Sequence, residues 1–435
     1  MRWQMYEERG EKVRILTERA KATILLCSSL GLPEFVRNKL KPYTPNAWCS
    51  LGYKIINSEF KVPETLFNKS VEEIRSTLFI SKEEATRIHS LLSYGANLAL
   101  ALEHYASQGI FVVTKSDEDY PKRLMKILNA KMVPPVLFYC GNLALANTFG
   151  IAMIGSRNID YEGMRYAENL ASQVAKHGYT IFSGGAKGVD QISVSSALNV
   201  GGKGVIFFAA DMQKNVRQKE IRKWVENERL LVLSEVLPTT SFRAYNAMAR
   251  NKYVYALSRA ALVIAADKER GGTWSGAVES MKNGYVPVYV YDTDRYSGNK
   301  PLIKLGAAAI PQNIDWQSLF NSENTANREV TYKEISLFAP PAKIEKPKDE
   351  IGVESINDKN KLCQKQVAAH HFGGIFNVIW PILQDILQQA KTEAEIYDSL
   401  ADACLLKKQV RLWLDKAVEE RLVIKSGRPI RYKIC

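Results

Sequence analysis

The sequence has little of what extracellular and metal-bound folds are built from. Of 435 residues only six are cysteines, scattered without a C-x-x-C pair, and only five are histidines. The adjacent pair His370 and His371 has no cysteine partner at zinc-finger spacing. This distribution indicates a reducing compartment, disfavours a structural zinc, and gives no set of metal ligands.

Long apolar runs are also missing. No stretch reaches the roughly 18 apolar residues of a membrane-spanning helix. The charged N-terminal segment MRWQMYEERGEKVR has no apolar centre of the kind found in secretion signals. We therefore expect a cytoplasmic protein without a transmembrane helix and without a membrane partner.

Two common nucleotide-binding motifs are absent. The P-loop pattern G-x-x-x-x-G-K-[ST] occurs nowhere, and no glycine-rich loop at a strand end forms G-x-G-x-x-G. Both patterns place backbone N–H groups around a cofactor's phosphates. Their absence disfavours a P-loop ATPase and a dinucleotide enzyme, and we expect no cofactor.

What the sequence does have is positive charge. The chain carries 59 Lys+Arg against 46 Asp+Glu, a net charge of +13. Such a surplus favours an anionic partner, above all nucleic acid. The hydrophobic fraction of 46% is ordinary for a globular protein, and the length predicts about three domains.

Residues 1–108 have helical patterning. In ISKEEATRIHSLL, Ser81 and Glu84 have the spacing of a capping box, and Ile88, Leu91 and Leu92 follow on one helical face. We predict a small helical domain here, of the SAM or helix–hairpin–helix kind, with no residue that carries chemistry.

Residues 109–318 change to short apolar runs that alternate with helical patterns. The runs are IFVVT, PPVLFYC, FGIAMI, YTIF, GVIFFAA, LLVLSE, AALVIAA and VPVYVY. Continuous apolar strands alternating with helices are typical of a parallel sheet that is covered on both faces. The sequence therefore predicts an α/β core with a Rossmann-like, doubly wound parallel sheet.

The C-terminal third begins with a predicted linker, residues 319–372, in which proline and mixed charges dominate. Residues 373–435 have the helix–turn–helix and hairpin pattern of a winged helix. Residues 407–435 hold nine Lys/Arg and three Asp/Glu. A winged helix binds duplex DNA or another protein, and both uses stay open; in the first, Arg411 would enter the groove and Lys425 and Arg428 would contact phosphates.

Three loops follow strands of the predicted core. GSR, residues 155–157, offers a tight turn at Gly155, the hydroxyl of Ser156 and the guanidinium of Arg157. SGGAKGVD, residues 183–190, has the composition of an anion-binding nest at a helix start. DKERGGTWSG, residues 267–276, opens another helix near Thr273. Because the carboxyl ends of parallel strands share one edge of a sheet, we predict a phosphate site there.

These motifs, taken in order, resemble the DprA/Smf DNA-processing family. The segments that carry the resemblance are DEDYPKRL (117–124), PPVLFYCGN (134–142), GSR (155–157), SGGAKGVD (183–190), SEVLP (234–238), ARNKYVYALSRAALVIAA (249–266) and GNKPLIKLGA (298–307). The resemblance implies a protein that is not an enzyme. It would bind single-stranded DNA at the glycine-rich pocket, form a homodimer through its core, and hand the strand to a RecA-type recombinase. The pathway, whether natural transformation, recombination or phage defence, stays open.

The resemblance also carries individual residues. Arg157, Lys187, Arg250 and Lys252 match strand-contacting basic positions, with Asn251 between the last two. A further basic contact falls on Lys214, on Lys219 or on neither. With the loop residues, the candidate phosphate contacts are Gly155, Ser156, Arg157, Ser183, Gly184, Gly185, Lys187, Gly188, Lys214, Arg250, Asn251, Lys252 and Thr273.

Aromatic residues near these loops have two interpretations. Phe242, Tyr245, Tyr253 and Tyr255 are interpreted as core side chains, whereas Trp274, between glycine and serine, is left open between core and base-stacking platform.

An enzymatic alternative uses the third loop. RGGTWSGAVE resembles the phosphate loop of Lonely-guy-type nucleoside-monophosphate phosphoribohydrolases. In that alternative Arg250 would grip the phosphate and Glu279 would be the catalytic carboxylate, although a solvated helix residue is the simpler interpretation of Glu279. A nucleotide-sensing pocket without turnover lies between the two hypotheses.

Overall fold

The structure, a computed structural model, describes residues 6–8, 11–13, 16–311, 313–316, 387–389, 391–392, 395–396, 414, 417–418, 423–426 and 431–434. The chain divides into two compact units, Met5–Ala339 and Pro340–Cys435 with Met1–Gln4. The predicted linker, residues 319–372, lies outside the described residues. The boundaries between the four predicted domains stay predictions.

The N-terminal region opens with a strand pair. Strands β1 (Tyr6–Glu8) and β2 (Glu11–Val13) pair antiparallel, with Glu8 opposite Glu11. The prediction of helix throughout residues 1–108 is wrong for this segment. Only Arg9 and Gly10 separate the strands in the sequence, which is the loop length and composition of a tight hairpin.

Helices fill the rest of the N-terminal region. They are α1 (Glu18–Cys27), α2 (Glu34–Arg37), α3 (Pro45–Asn57), α4 (Val71–Leu78), α5 (Lys82–Leu92) and α6 (Gly95–Ala106), with a 3₁₀ turn at Pro63–Leu66. As predicted, Ser81 caps α5: its hydroxyl accepts a hydrogen bond from the Glu84 N–H at 3.2 Å. The Glu84 carboxylate instead accepts from the Tyr43 hydroxyl and from Arg87.

The second region of this unit is an α/β sheet. Its strands are β3 (Phe111–Thr114), β4 (Val136–Gly141), β5 (Gly150–Ile154), β6 (Thr180–Ser183), β7 (Gly204–Phe208), β8 (Leu230–Ser234), β9 (Ala260–Val263), β10 (Val288–Val290) and β11 (Ala308–Ala309). Its helices are α7 (Lys122–Ile127), α8 (Tyr161–Lys176), α9 (Val189–Asn199), α10 (Met212–Asn215), α11 (Lys219–Glu226), α12 (Ala244–Leu257), α13 (Gly271–Asn283) and α14 (Asn299–Lys304), with a 3₁₀ turn at Leu143–Asn147.

The sheet is mainly parallel. Its strand order is β11-β10-β9-β5-β6-β7-β8-β4-β3, and β5 to β11 all run parallel. Strand β4 pairs antiparallel with β8 and with β3. This reversal was not predicted, because an apolar run does not show its direction; an antiparallel edge on a parallel sheet is common.

Alternating side chains of the strands form two cores. On β5, Ile151 and Met153 belong to the core that contains α8 and α9, whereas Ala152 and Ile154 belong to the core that contains α12 and α13. The sheet is therefore covered on both faces, and the predicted Rossmann-like, doubly wound α/β class is confirmed. Among the described residues no helix is long and apolar enough to cross a membrane.

The N-terminal helices share the first of these cores. Ile24 of α1 and Ile88 of α5 are fully buried in the same cluster as Val112 of β3 and Phe138 of β4. The antiparallel end of the sheet is thus packed against helices that the sequence analysis assigned to a separate domain.

The described part of the C-terminal unit is a small sheet. Strands β12 (Lys391–Thr392), β13 (Val423–Ser426) and β14 (Arg431–Ile434) have the order β12-β14-β13 and pair antiparallel. The predicted hairpin is confirmed, with Lys425 opposite Tyr432. The winged helix as a whole stays a prediction, since most of its residues lie outside the described ones.

Candidate functional site

The strand order places a cleft at one point of the sheet. Strands β5 and β9 are neighbours, but the chain proceeds from β5 toward β8 and from β9 toward β11, so the order reverses between them. At such a switch point the loops leaving the two strands diverge and open a crevice. Three loops meet here: the first loop (155–160, after β5), the second loop (184–188, after β6) and the third loop (264–270, after β9).

An open cleft of about 1050 Å³ lies among these loops and the start of α12. It is lined by Ile154, Gly155, Ser156, Arg157, Asn158, Ala186, Asp190, Phe242, Ala244, Ala247, Met248, Arg250, Asn251, Asp267, Arg270, Gly271, Gly272 and Thr273. Six of the predicted contacts are among them: Gly155, Ser156, Arg157, Arg250, Asn251 and Thr273.

Arg250 lies on the floor of the cleft. Its side chain projects from α12 and is 5% exposed. Its Nε and Nη1 atoms are buried and have no hydrogen-bond partner in the described part of the chain. Burial lowers the pKa of Arg250, and the negative charges of Asp190 and Glu235 oppose that shift. A buried guanidinium with unpaired donors is a strong anion-binding group, because unpaired buried N–H groups are costly.

Gly184 makes room for this guanidinium. A Cβ atom at residue 184 would lie only 1.6 Å from Nη1 of Arg250. At this position the second loop therefore has no side chain, and its backbone lies directly against the Arg250 guanidinium.

Asp190, in the first turn of α9, is buried beneath the second loop; its Oδ1 has no hydrogen-bond partner among the described residues. Its Oδ2 accepts from the Ala186 N–H at 3.4 Å, and the Gly155 and Gly184 N–H groups also point to this carboxylate. Burial raises the pKa of Asp190, and these N–H groups and Arg250 oppose the rise. At least one N–H group of the predicted nest, that of Ala186, is thus bonded to an internal carboxylate; phosphate binding by the second loop stays a prediction.

The second loop also packs on the first. Gly188 has φ of +82°, and a Cβ there would lie 2.4 Å from the Ser156 carbonyl oxygen. Only glycine satisfies both conditions without strain.

An exposed aromatic patch borders the cleft. Phe242 is 51% exposed and Tyr245 64%, and the Arg157 guanidinium lies 5.1 Å from the Phe242 ring centroid. The interpretation of Phe242 and Tyr245 as core residues is wrong: Phe242 precedes α12 and Tyr245 lies in its first turn. Tyr253 and Tyr255, farther along the helix, are buried as predicted.

The third wall of the cleft is the start of α13. The helix begins at Gly271 with no side-chain cap, so its first N–H groups face the cleft without an internal partner from a cap. Asn251 donates to the Gly272 carbonyl at 2.9 Å and attaches this turn to α12. Arg270 and Asn158 also line the cleft. These two residues were not predicted, because the loops were recognised by their glycines and not by the residues beside those glycines. Trp274 is partly buried against the α12–α13 core.

The other predicted contacts lie outside the cleft lining. Ser183 is buried and donates to the Met153 carbonyl at 2.8 Å. Lys187 on the second loop and Lys214 on α10 are exposed. Lys252 lies with its Nζ 5.1 Å from the Tyr253 ring. Gly185 packs against Ile206 and Phe208, and Lys219, the alternative to Lys214, is exposed at the start of α11.

Glu279, the carboxylate of the enzymatic alternative, lies in the middle of α13. Its Oε1 accepts from the Tyr285 hydroxyl at 3.2 Å, and it does not line the cleft. Of the winged-helix candidates, Lys425 lies on β13, while Arg411 and Arg428 fall outside the described residues.

Comparison with known proteins finds similarity over the α/β region that contains the cleft. Residues 111–320 match the family model "DNA recombination-mediator protein A". Protein Smf of Synechocystis sp. is 31% identical over 39% of this chain and 43% of its own length. DNA processing protein DprA of Bacillus subtilis is 27% identical over 54% of this chain and 78% of its own. The chain thus spans less than half of the Synechocystis relative.

Solved structures are also similar to this chain. One of them is that of DNA processing protein A from Helicobacter pylori, which is described as having a single-stranded DNA binding mode. It matches with a TM-score of 0.40 and 26% identity over 49% of this chain and 94% of that one.

Proposed function

Since residues 111–320 belong to the DprA/Smf DNA-processing family, we propose that this chain is a DNA-processing protein whose cleft binds the sugar–phosphate backbone of a single DNA strand. The proposal includes no catalytic step. It gives each wall of the cleft a part in holding an anionic polymer.

The observation that carries the proposal is the buried guanidinium of Arg250. Two of its nitrogen atoms, Nε and Nη1, have no hydrogen-bond partner among the described residues, and the carboxylates of Asp190 and Glu235 act on it as nearby charges. Charge-assisted hydrogen bonds to a phosphate would satisfy such a group. The exposed Arg157 and Arg270 at the rim and the uncapped start of α13 add donors along the path of a backbone.

The aromatic patch supports a single strand over a duplex. Sequence-tolerant binding of single strands combines a basic groove with rings on which unpaired bases stack. Phe242 lines the cleft with its ring 5.1 Å from the Arg157 guanidinium, where a base of a bound strand would lie, and Tyr245 exposes its ring in the first turn of α12. In a duplex the bases are already stacked and paired, so these rings would have no base face to contact.

The family also guides the finer part of the proposal. We include in it a homodimer that acts in the cytoplasm, protects single-stranded DNA and passes it to a RecA-type recombinase. The family model's description as a recombination mediator supports the recombinase step.

The test is fluorescence anisotropy with a labelled poly-dT oligonucleotide and a matched duplex over a salt series. We expect preferred binding of the single strand, with an affinity that falls steeply as salt rises. The matched control is Lys304→Ala, an exposed cation in the last turn of α14 that does not line the cleft. Equal binding of strand and duplex, or binding that does not respond to salt, would contradict the proposal.

A further inference from the structure

A short segment that follows β10 and includes the first residue of α14 contacts two of the three loops that form the cleft. It comprises residues 295–299, Arg-Tyr-Ser-Gly-Asn, and we call it the strap. The sequence motif at residues 298–307 begins inside it, and neither phosphate nor base contact explains that motif.

At one end the strap holds the first loop. The Tyr296 hydroxyl donates to Oδ1 of Asp160 at 2.7 Å, and Arg295 donates to Oδ2 at 3.2 Å. Asp160 ends the first loop and caps α8, accepting the Gly163 N–H at 2.8 Å. The Tyr296 ring is buried against the helix start, where a Cβ at Gly163 would lie 1.9 Å from its hydroxyl oxygen.

At the other end the strap holds the third loop. Asn299 is fully buried; its Oδ1 accepts the Ala266 N–H at 2.9 Å, and its Nδ2 donates to the Ile264 carbonyl at 2.8 Å. The Gly298 N–H donates to the Ala266 carbonyl at 2.8 Å, and the Ser297 hydroxyl accepts the Lys268 N–H at 3.1 Å.

These contacts span the switch point. The first loop leaves β5 and the third loop leaves β9; at the sheet edge the Ser156 N–H donates to the Ala265 carbonyl at 2.8 Å, and beyond that bond the two loops separate around the cleft. The strap bonds to both loops within five consecutive residues, so a displacement of one loop is transmitted to the other through a short, hydrogen-bonded piece of chain.

We propose that the strap is a positioning element: by bonding to the first and third loops together, it sets the spacing between Arg157 and the start of α13, and so the fit of the cleft to a strand's phosphates. The proposal rests on the proposed function for its binding consequence, but its mechanical part concerns the protein alone. None of the strap residues lines the cleft.

The test uses the full chain with Tyr296→Phe, which removes one hydroxyl, and Ser297→Ala, which removes the acceptor for Lys268. The control is Tyr166→Phe on α8: this ring stacks on Tyr291 at 3.8 Å, and no hydrogen bond of its hydroxyl to another described residue is found. Amide hydrogen exchange is measured on the ligand-free protein, and poly-dT affinity is measured over a salt series.

We expect Tyr296→Phe to speed exchange in residues 264–270, which its hydroxyl does not touch, as well as in 155–160. Ser297→Ala should in turn speed exchange in 155–160. Affinity for the strand should fall roughly twofold to tenfold, the effect of one net hydrogen bond. The salt slope should stay as in the wild type, because no phosphate contact is removed.

Faster exchange confined to the loop that each variant touches would overturn the positioning role, as would a control that behaves like the variants. If the wild type binds no strand, the proposed function fails. The exchange data then still decide whether the strap couples the two loops.

Discussion

Replacing Gly184 by alanine should weaken DNA binding at the floor of the cleft while leaving the stability of the fold almost unchanged. The new Cβ would lie 1.6 Å from Nη1 of Arg250, whereas ordinary contact begins at 3.4 Å, so the guanidinium must move by about 1.8 Å. The clashing atom is the end of a flexible side chain, and Gly184 does not have a positive φ. The fold can therefore accommodate the methyl group at small cost.

The shift of the Arg250 guanidinium should, however, weaken DNA binding. A shift of that size takes the guanidinium out of hydrogen-bond reach of a phosphate held by the remaining walls. Hydrogen bonds to charged groups contribute about 1.5–3 kcal/mol, so we expect affinity for poly-dT to fall roughly 10-fold to 150-fold. The melting temperature should change by only a few degrees.

Anisotropy at one salt concentration and a thermal melt measure the two effects. The matched control is Gly95→Ala at the start of α6, where a Cβ meets no atom within 4 Å. Full affinity in Gly184→Ala would refute the argument that Arg250 acts from the floor of the cleft. A collapse in melting temperature would mean that the guanidinium is a structural element rather than a ligand-binding one.

Three further results are expected. Arg157→Ala should make the plot of log affinity against log salt less steep by roughly 0.7, the value of one phosphate contact on a single strand. An unchanged slope would show that Arg157 makes no phosphate contact. Glu279→Ala should leave strand binding intact, and the wild type should release no base from nucleoside monophosphates, as followed by chromatography; base release lost in the variant would favour the enzyme. Hydrogen bonds from the Gly163 N–H, Tyr296 and Arg295 hold the pKa of Asp160 below the ordinary value of an aspartate. Because the pKa of Asp160 is lower in the folded than in the unfolded protein, ionised Asp160 stabilises the fold above its unfolded pKa. This stabilisation is lost as the pH falls through its folded pKa. Denaturant melts should show Asp160→Asn less stable at neutral pH and equal to the wild type in strong acid.

The fold was largely predictable because its core strands are continuous apolar runs. Each of the eight runs between residues 110 and 291 became a strand, and each glycine-rich turn after β5, β6 and β9 reached the same edge. The antiparallel direction of β4 was not predictable, because it depends on which neighbour the strand pairs with. That choice is made by packing between distant segments.

The candidate site was predictable in position but not in detail. Gly155, Ser156 and Arg157 of the first loop do line the cleft, as the glycine, serine and arginine types suggested. The assignment of the second loop's N–H groups to a phosphate did not consider that Asp190, four residues after Ala186, could turn back onto them. Phe242 was interpreted as core because aromatic residues usually are; its exposure depends on where α12 begins. Nothing in RYSGN shows that it bonds to residues about 30 and 135 positions earlier.

The pairing of β5 with β9 has a consequence for biosynthesis. These strands join residues 150–154 to residues 260–263, so their contact closes a loop of roughly a hundred residues and carries a matching entropic cost. During translation β5 to β8 emerge before β9 and can assemble as neighbours in order, but the cleft lacks its third loop and the start of α13 until β9 and the residues after it leave the ribosome. The strap follows another 30 residues later. A nascent or truncated chain that ends before residue 299 would therefore carry a partly folded sheet and an incomplete cleft, and the cleft forms only when nearly the whole α/β region has been made.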